Sequence, residues 1–144
     1  MIEQDPFAYR RLFNLSMSYG AVVFLLLCAG PVRDFLAEPA TVERLRETAG
    51  AIGALVPAGM AVSAVVAGVV RKILFHCGGV NRRSLWAVFL AGTFWHLPFT
   101  LLVARAAAEH EPAAWTLPLR FTLVGLVASA ALVFSLRLAF RRHG

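Results

Sequence analysis

His96 is the residue whose type and setting most suggest chemistry in this sequence. It lies within a long apolar stretch, with Thr93 three residues before it and Thr100 four residues after it. A helix would place all three side chains on one face. At about 1.5 Å per residue, His96 would lie about 18 Å from the start of such a helix, near the middle of a bilayer. Ser63 and Ser129 fall at similar depths in other apolar stretches, so we predict a polar intramembrane site formed by these five residues.

The chemistry of such a site depends on what the imidazole does. A neutral histidine could hydrogen-bond to a neighbouring helix and fix its register, or it could carry or gate protons. Bis-histidine haem ligation would need His76 as the second ligand, and His76 is predicted at a different depth. His110 and His143 are predicted at opposite surfaces. The identity of any cofactor is therefore left open.

Other catalytic signals are weak. Cys28 and Cys77 are too few for a disulfide framework and have no metal-ligand spacing with the histidines, so no metal site is predicted. Paired intramembrane carboxylates, a serine nucleophile elbow and a phosphate-binding glycine loop do not occur in the sequence. We predict no catalytic residues, and an enzyme is the less favoured interpretation.

The composition indicates what surrounds these residues. Of the 144 residues, 59% are hydrophobic and only 15% are charged, and the mean hydropathy is +0.71. Soluble domains have roughly 45 to 50% apolar and about 25% charged residues, so this chain is predicted to lie in a lipid bilayer. The net charge of +6 does not indicate nucleic-acid binding, because the basic residues flank the apolar stretches and form no continuous patch.

Four apolar runs predict an all-α integral membrane four-helix bundle that forms one transmembrane domain over residues 1–144. The helices are expected at about 12–30, 50–70, 84–105 and 117–140, each long enough for a hydrocarbon core of about 30 Å. The mixed-charge segment at about 33–48 is predicted to lie on the membrane surface. Pro98 is expected to kink the third helix.

The distribution of positive charge predicts the orientation. Nine of the 14 arginine and lysine residues fall in the N-terminal tail, the second loop and the C-terminal end, and five fall on the other side. The positive-inside rule then places both termini in the cytoplasm. Because arginine greatly outnumbers lysine, as in GC-rich genomes, we expect a bacterial inner-membrane location.

Small residues at helical spacing predict close helix packing. Gly59 and Ser63 form one such stripe in the second helix, Gly125 and Ser129 form another in the fourth, and Gly50, Ala54 and Ala58 form a third. The leading functional interpretation is a non-enzymatic subunit or assembly component, either a homo-oligomer or a partner of other membrane subunits. An oligomeric channel or transporter with a path near His96 is the alternative, and a redox or lipid-modifying subunit is the second alternative.

Overall fold

The computed structural model describes residues 7–141, which form helices and no strands. The helices are α1 (Tyr9–Ala37), α2 (Val42–His76), α3 (Arg82–Phe94), α4 (Leu97–Ala107) and α5 (Thr116–Arg141). A short 3₁₀ helix, Pro112–Trp115, precedes α5. Four spans in this part of the chain are long and apolar enough to cross a membrane: α1, α2, α3 with α4, and α5 with the 3₁₀ helix. The prediction of an all-α chain with four such helices is confirmed.

The boundaries of the first two helices differ from the sequence prediction. The segment 33–48 is not a separate surface helix: α1 continues through Pro31 to Ala37, and α2 begins at Val42. The side chain of Arg44 joins the two helix ends, since it donates to the carbonyls of Asp34 and Pro39 at 2.7 and 2.9 Å. The charged residues therefore extend two long helices instead of forming a third element.

Helices α1 and α2 pack closely because glycine lies where they meet. A Cβ atom at Gly20 would collide with the Ser63 hydroxyl and would lie 2.5 Å from the Gly59 carbonyl oxygen. A Cβ atom at Gly59 would lie 3.4 Å from the Gly20 carbonyl oxygen. The approach of the two backbones therefore requires glycine at position 20, whereas a Cβ atom at position 59 would make an ordinary van der Waals contact.

Helices α3 and α5 make the same kind of contact. A Cβ atom at Gly92 would collide with the Ser129 hydroxyl, and one at Gly125 would lie 3.1 Å from the Gly92 carbonyl oxygen and 2.9 Å from that of Thr93. The two contacts follow one rule. A glycine of the first helix, Gly20 or Gly92, faces a serine of the second helix. That serine lies four residues after the glycine of its own helix.

The sequence around the two contacts also repeats. The segment RRLFNLSMSYG (10–20) in α1 has its arginine pair and glycine at the same spacing as RRSLWAVFLAG (82–92) in α3. The segment GMAVSAVVAGVVR (59–71) in α2 matches GLVASAALVFSLR (125–137) in α5 at glycine, serine, the following alanine and the terminal arginine. The fold is thus two helical hairpins, α1–α2 and α3–α5, built around one packing arrangement.

The glycine contact leads to a first prediction. Gly20→Ala should lower the free energy of unfolding by about 2 kcal/mol, because the new methyl group meets the α2 backbone as well as a movable hydroxyl. Gly30→Ala, in the same helix but with no atom within 4 Å of the new Cβ, should be neutral or stabilising by about 0.5 kcal/mol. Reversible unfolding in mixed micelles measures both. Equal stabilities of the two variants would contradict the contact.

Candidate functional site

The site is built on a break in the third span. Helix α3 ends at Phe94, and α4 begins at Leu97 after a turn formed by Trp95 and His96. Pro98 causes the break, since it has no N–H to donate to the carbonyl of Phe94 and its ring would clash with that carbonyl in a continuous helix. The predicted kink is a two-residue interruption of the helical hydrogen bonds, while the backbone dihedral angles of Trp95 and His96 stay in the right-handed helical region.

Tyr19 of α1 stabilises this break. Its hydroxyl donates to the carbonyl of Gly92, which in an unbroken helix would accept from the amide of His96. The same hydroxyl accepts from the indole Nε1 of Trp95 at 3.1 Å. Only 1% of the Tyr19 residue is exposed, so a buried phenol from one hairpin satisfies two polar groups of the other.

His96 is buried at the same turn, with 4% of the residue exposed. Its ring contacts Phe121, with the centroids 5.7 Å apart, and Trp95, with the centroids 6.1 Å apart. Its Nδ1 atom lies 3.3 Å from Oγ1 of Thr100. The Nδ1 edge of the imidazole therefore lies beside a hydroxyl, and two aromatic rings also contact the imidazole.

The Thr100 hydroxyl links the His96 ring to the backbone of the turn. It lies 3.1 Å from the carbonyl oxygen of His96, 3.2 Å from that of Leu97 and 3.3 Å from Nδ1 of His96. Its single hydrogen can be donated to a carbonyl or to Nδ1, and either tautomer of the ring satisfies one of these arrangements. Nε2 is buried and has no hydrogen-bond partner among the described residues.

The five polar residues singled out from the sequence are distributed over three places. Thr100 contacts His96 directly. Thr93 donates to the carbonyl of Phe89 at 2.8 Å, and its own backbone lies against Gly125, while the Ser129 hydroxyl lies against Gly92. Ser63 donates to Gly59 at 2.9 Å within the α1–α2 contact. The pairs Gly59 and Ser63, and Gly125 and Ser129, all lie at helix contacts.

Sequence reasoning missed Tyr19, which connects these places. It is next to Gly20 at the α1–α2 contact, and its ring and hydroxyl lie against Gly92 at the α3–α5 contact. A signal was available, since a tyrosine within an apolar stretch must find a hydrogen-bond partner for its hydroxyl. That partner could not be inferred, because nothing in the spacing relates residue 19 to residues 92 and 95.

Metal ligation finds no support in the described part of the chain. Residues 7–141 contain no group of three or more histidine, cysteine or acidic side chains that could hold a metal ion. Both cysteines are free thiols. His76 is exposed at the end of α2, where its Nδ1 atom lies 2.8 Å from the Lys72 carbonyl oxygen.

The geometry defines an all-helical protein with four helices of membrane-spanning length and composition and a buried polar turn within the third. Comparison with protein-family models, with curated proteins and with solved structures gives no match. The interpretation of the site therefore depends on its own contacts.

The Tyr19 hydroxyl leads to a second prediction. Tyr19→Phe should cost about 1 to 3 kcal/mol of stability, because it removes the hydroxyl that bonds both the Gly92 carbonyl and the Trp95 indole N–H, two part-buried hydrogen bonds. Tyr9→Phe is the matched control: its hydroxyl makes one exposed hydrogen bond, to the Ala64 carbonyl, and removing it should cost less than about 1 kcal/mol. Thermal unfolding followed by tryptophan fluorescence compares the two. A Tyr19→Phe variant as stable as the control would show that this bridge does not hold the break.

Proposed function

We propose that this protein is a multi-pass membrane component of the bacterial inner membrane, with both termini in the cytoplasm, that acts by assembling with a second copy of itself. Its four apolar helices and the excess of basic residues at one end of them support the location and the orientation. The outward surface of α2 supports assembly.

Helix α2 is the least covered of the four spans. In its most apolar window 11% of the residues are buried, against 28% in each of the other three spans, and it packs chiefly on α1. Small residues recur at alternating spacings of four and three along its outer side. We call these residues the α2 seam: Gly50, Ala54, Pro57, Ala61, Ala64 and Gly68. All are exposed except Ala64, which is half-buried.

The α2 seam differs from the exposed face of α5, which is typical of a surface that contacts only lipid. The exposed face of α5 carries bulky side chains such as Leu119, Leu123 and Phe134. A four-and-three repeat is the spacing of helices that pack side by side with a left-handed twist, and small residues at those positions allow two backbones to approach closely. The seam therefore fits a helix better than it fits acyl chains.

Two polar features on the same helix also need a partner. Pro57 has no N–H, so the carbonyl of Gly53 loses its helical donor within an exposed stretch of an apolar span. At the start of α2, the exposed side chains of Glu43, Arg46 and Glu47 form no ion pair with any described residue. Charges of both signs on one helix are complementary to the same helix of a second copy related by a two-fold axis.

The assembly proposal predicts the effect of a bulky residue in the seam. Ala61→Leu should convert the oligomer to monomer, since its side chain prevents the close approach of two α2 helices. Ala130→Leu makes the same change at an exposed position of α5, outside the seam, and should leave the oligomeric mass unchanged. Mass measurement of the protein extracted with its native lipids tests both.

A disulfide assay provides an independent test. Ala54→Cys, in a chain with Cys28 and Cys77 replaced by serine, should form a symmetric cross-link between copies in the membrane, because Ala54 lies on the predicted two-fold seam. A monomeric wild-type protein, or equal loss of assembly in the Ala61→Leu and Ala130→Leu variants, would overturn the proposal. A co-purifying different subunit at fixed stoichiometry would show that the seam binds another protein.

The unpartnered Nε2 of His96 favours a second candidate function, proton movement through the third span. Its other ring nitrogen, Nδ1, lies 3.3 Å from the Thr100 hydroxyl, so one nitrogen of the ring has a polar neighbour and the other is open to a proton donor or acceptor. The break at Trp95 and His96 also interrupts the apolar helix at the depth where a proton would need polar groups.

This candidate is tested with His96→Gln. Glutamine can replace the hydrogen bond to Thr100 but cannot titrate, so proton flux into liposomes driven by a pH gradient should fall to the protein-free rate between about pH 5 and 8. His76→Gln, at the exposed end of α2, should retain the flux. Unchanged flux in His96→Gln, or no flux in the wild type, would exclude this role.

A further inference from the structure

A cavity of about 740 Å³ opens between the start of α3 and the end of α5. It lies outside the polar turn and outside the α2 seam. All of its polar and basic lining residues lie near the helix ends, where Val80 and Phe140 also line it, and the residues one to two turns further in are apolar. The polar or basic lining residues are Asn81, Arg82, Arg137 and Arg141, and the main apolar ones are Leu85, Trp86, Phe89 and Val133.

The basic side chains of this cavity have no acidic partner within residues 7–141. There the side chains of Arg82, Arg137 and Arg141 form no ion pair or hydrogen bond, and none of the described lining residues is a carboxylate. Arg137 and Arg141 are one turn apart and share one side of α5, while Arg82 is the first residue of α3. The first turn of α3 adds the positive end of its helix dipole. Three guanidinium groups and a helix N-terminus therefore surround a space with no counter-charge from the lining residues.

The apolar wall favours a ligand that joins an anionic group to a hydrocarbon chain. The rings of Trp86 and Phe89 pack edge to face with centroids 5.9 Å apart, and both face the cavity. Trp86 is 55% exposed, and tryptophan at a membrane interface pairs its apolar ring with acyl chains and its N–H with the headgroup region. A free phosphate ion would use the arginines and leave this wall empty.

We propose that this cavity is a specific binding site for one anionic phospholipid, with the headgroup phosphate at the three arginines and an acyl chain along Trp86 and Phe89. Guanidinium groups bind phosphate oxygens in paired hydrogen bonds, and basic pockets between membrane helices on the cytoplasmic side are typical headgroup sites. A phospholipid with a cationic choline group would be disfavoured, because its positive charge would lie beside the arginines. The site needs neither assembly nor proton movement.

Native mass spectrometry of the full-length protein in detergent tests the proposal directly. Titration with phosphatidylglycerol should show one tightly bound lipid, at an affinity about tenfold above that for phosphatidylcholine with the same acyl chains. Arg137→Gln should weaken phosphatidylglycerol binding about fivefold, the effect of one arginine near an anionic lipid surface. Arg141→Gln, at the last residue of α5, should also weaken phosphatidylglycerol binding about fivefold, and this variant replaces Arg137→Gln if that one fails to fold.

Arg83→Gln is the matched control. Arg83 is the neighbour of Arg82, carries the same charge at the same end of α3 and does not line the cavity, so phosphatidylglycerol binding should change by less than about twofold. Trp86→Ala should weaken phosphatidylglycerol binding without changing competition by inorganic phosphate, because it removes only the contact with the acyl chain.

Three outcomes would overturn the proposal. Equal affinity for phosphatidylglycerol and phosphatidylcholine would show that the headgroup charge is not recognised. Equal weakening by Arg83→Gln and Arg137→Gln would show diffuse attraction to the basic end of the molecule. Displacement of the lipid by millimolar inorganic phosphate, together with no effect of Trp86→Ala, would show that the cavity is a phosphate site and not a lipid site.

Discussion

The close approach of backbones at two glycine contacts determines how the rest of this molecule can be arranged. At Gly20 and at Gly92 the neighbouring helix leaves no room for a Cβ atom, and a serine from that helix occupies the space instead. Apolar side chains give little driving force for association between helices surrounded by lipid, so van der Waals contact between backbones must supply much of it. Tyr19 lies beside both contacts, since it precedes Gly20 and its hydroxyl donates to the carbonyl of Gly92.

The two hairpins share this contact but differ in the segment that follows it. After Gly20, α1 continues through Val23, Phe24 and Leu26 as an unbroken helix. At the same spacing after Gly92, the third span has Trp95, His96 and Pro98, and the helix is interrupted. The packing of a hairpin therefore does not require the break, since the first hairpin makes the same contact without it. A buried histidine costs stability, and its presence at the matching position of only one hairpin argues for a role other than packing.

The sequence predicts the number and character of the helices because hydrophobic length and charge placement are local properties. The ends of α1 and α2 were less predictable. In the sequence, the charged residues around Arg44 resemble a membrane-surface segment, whereas in the structure the Arg44 side chain connects the end of α1 to the start of α2. His96, Thr93 and Thr100 could be placed on one helical face from spacing alone, and all three are buried in the structure. Tyr19 could not be found, because its hydrogen bonds join residues far apart in the chain.

The position of α1 explains why the polar turn and the α2 seam are separate surfaces. Helix α1 packs against both α2 and α5, and its Tyr19 reaches α3, whereas α2 contacts α3 only weakly. An apolar crevice of about 390 Å³ separates α2 from α3 and α5, with Trp95 on its wall. The side of α2 turned away from α1 therefore has no covering helix within the chain. One helix thus holds the polar turn in place with its tyrosine and holds α2 with its glycine, leaving the small residues of the seam on the outside.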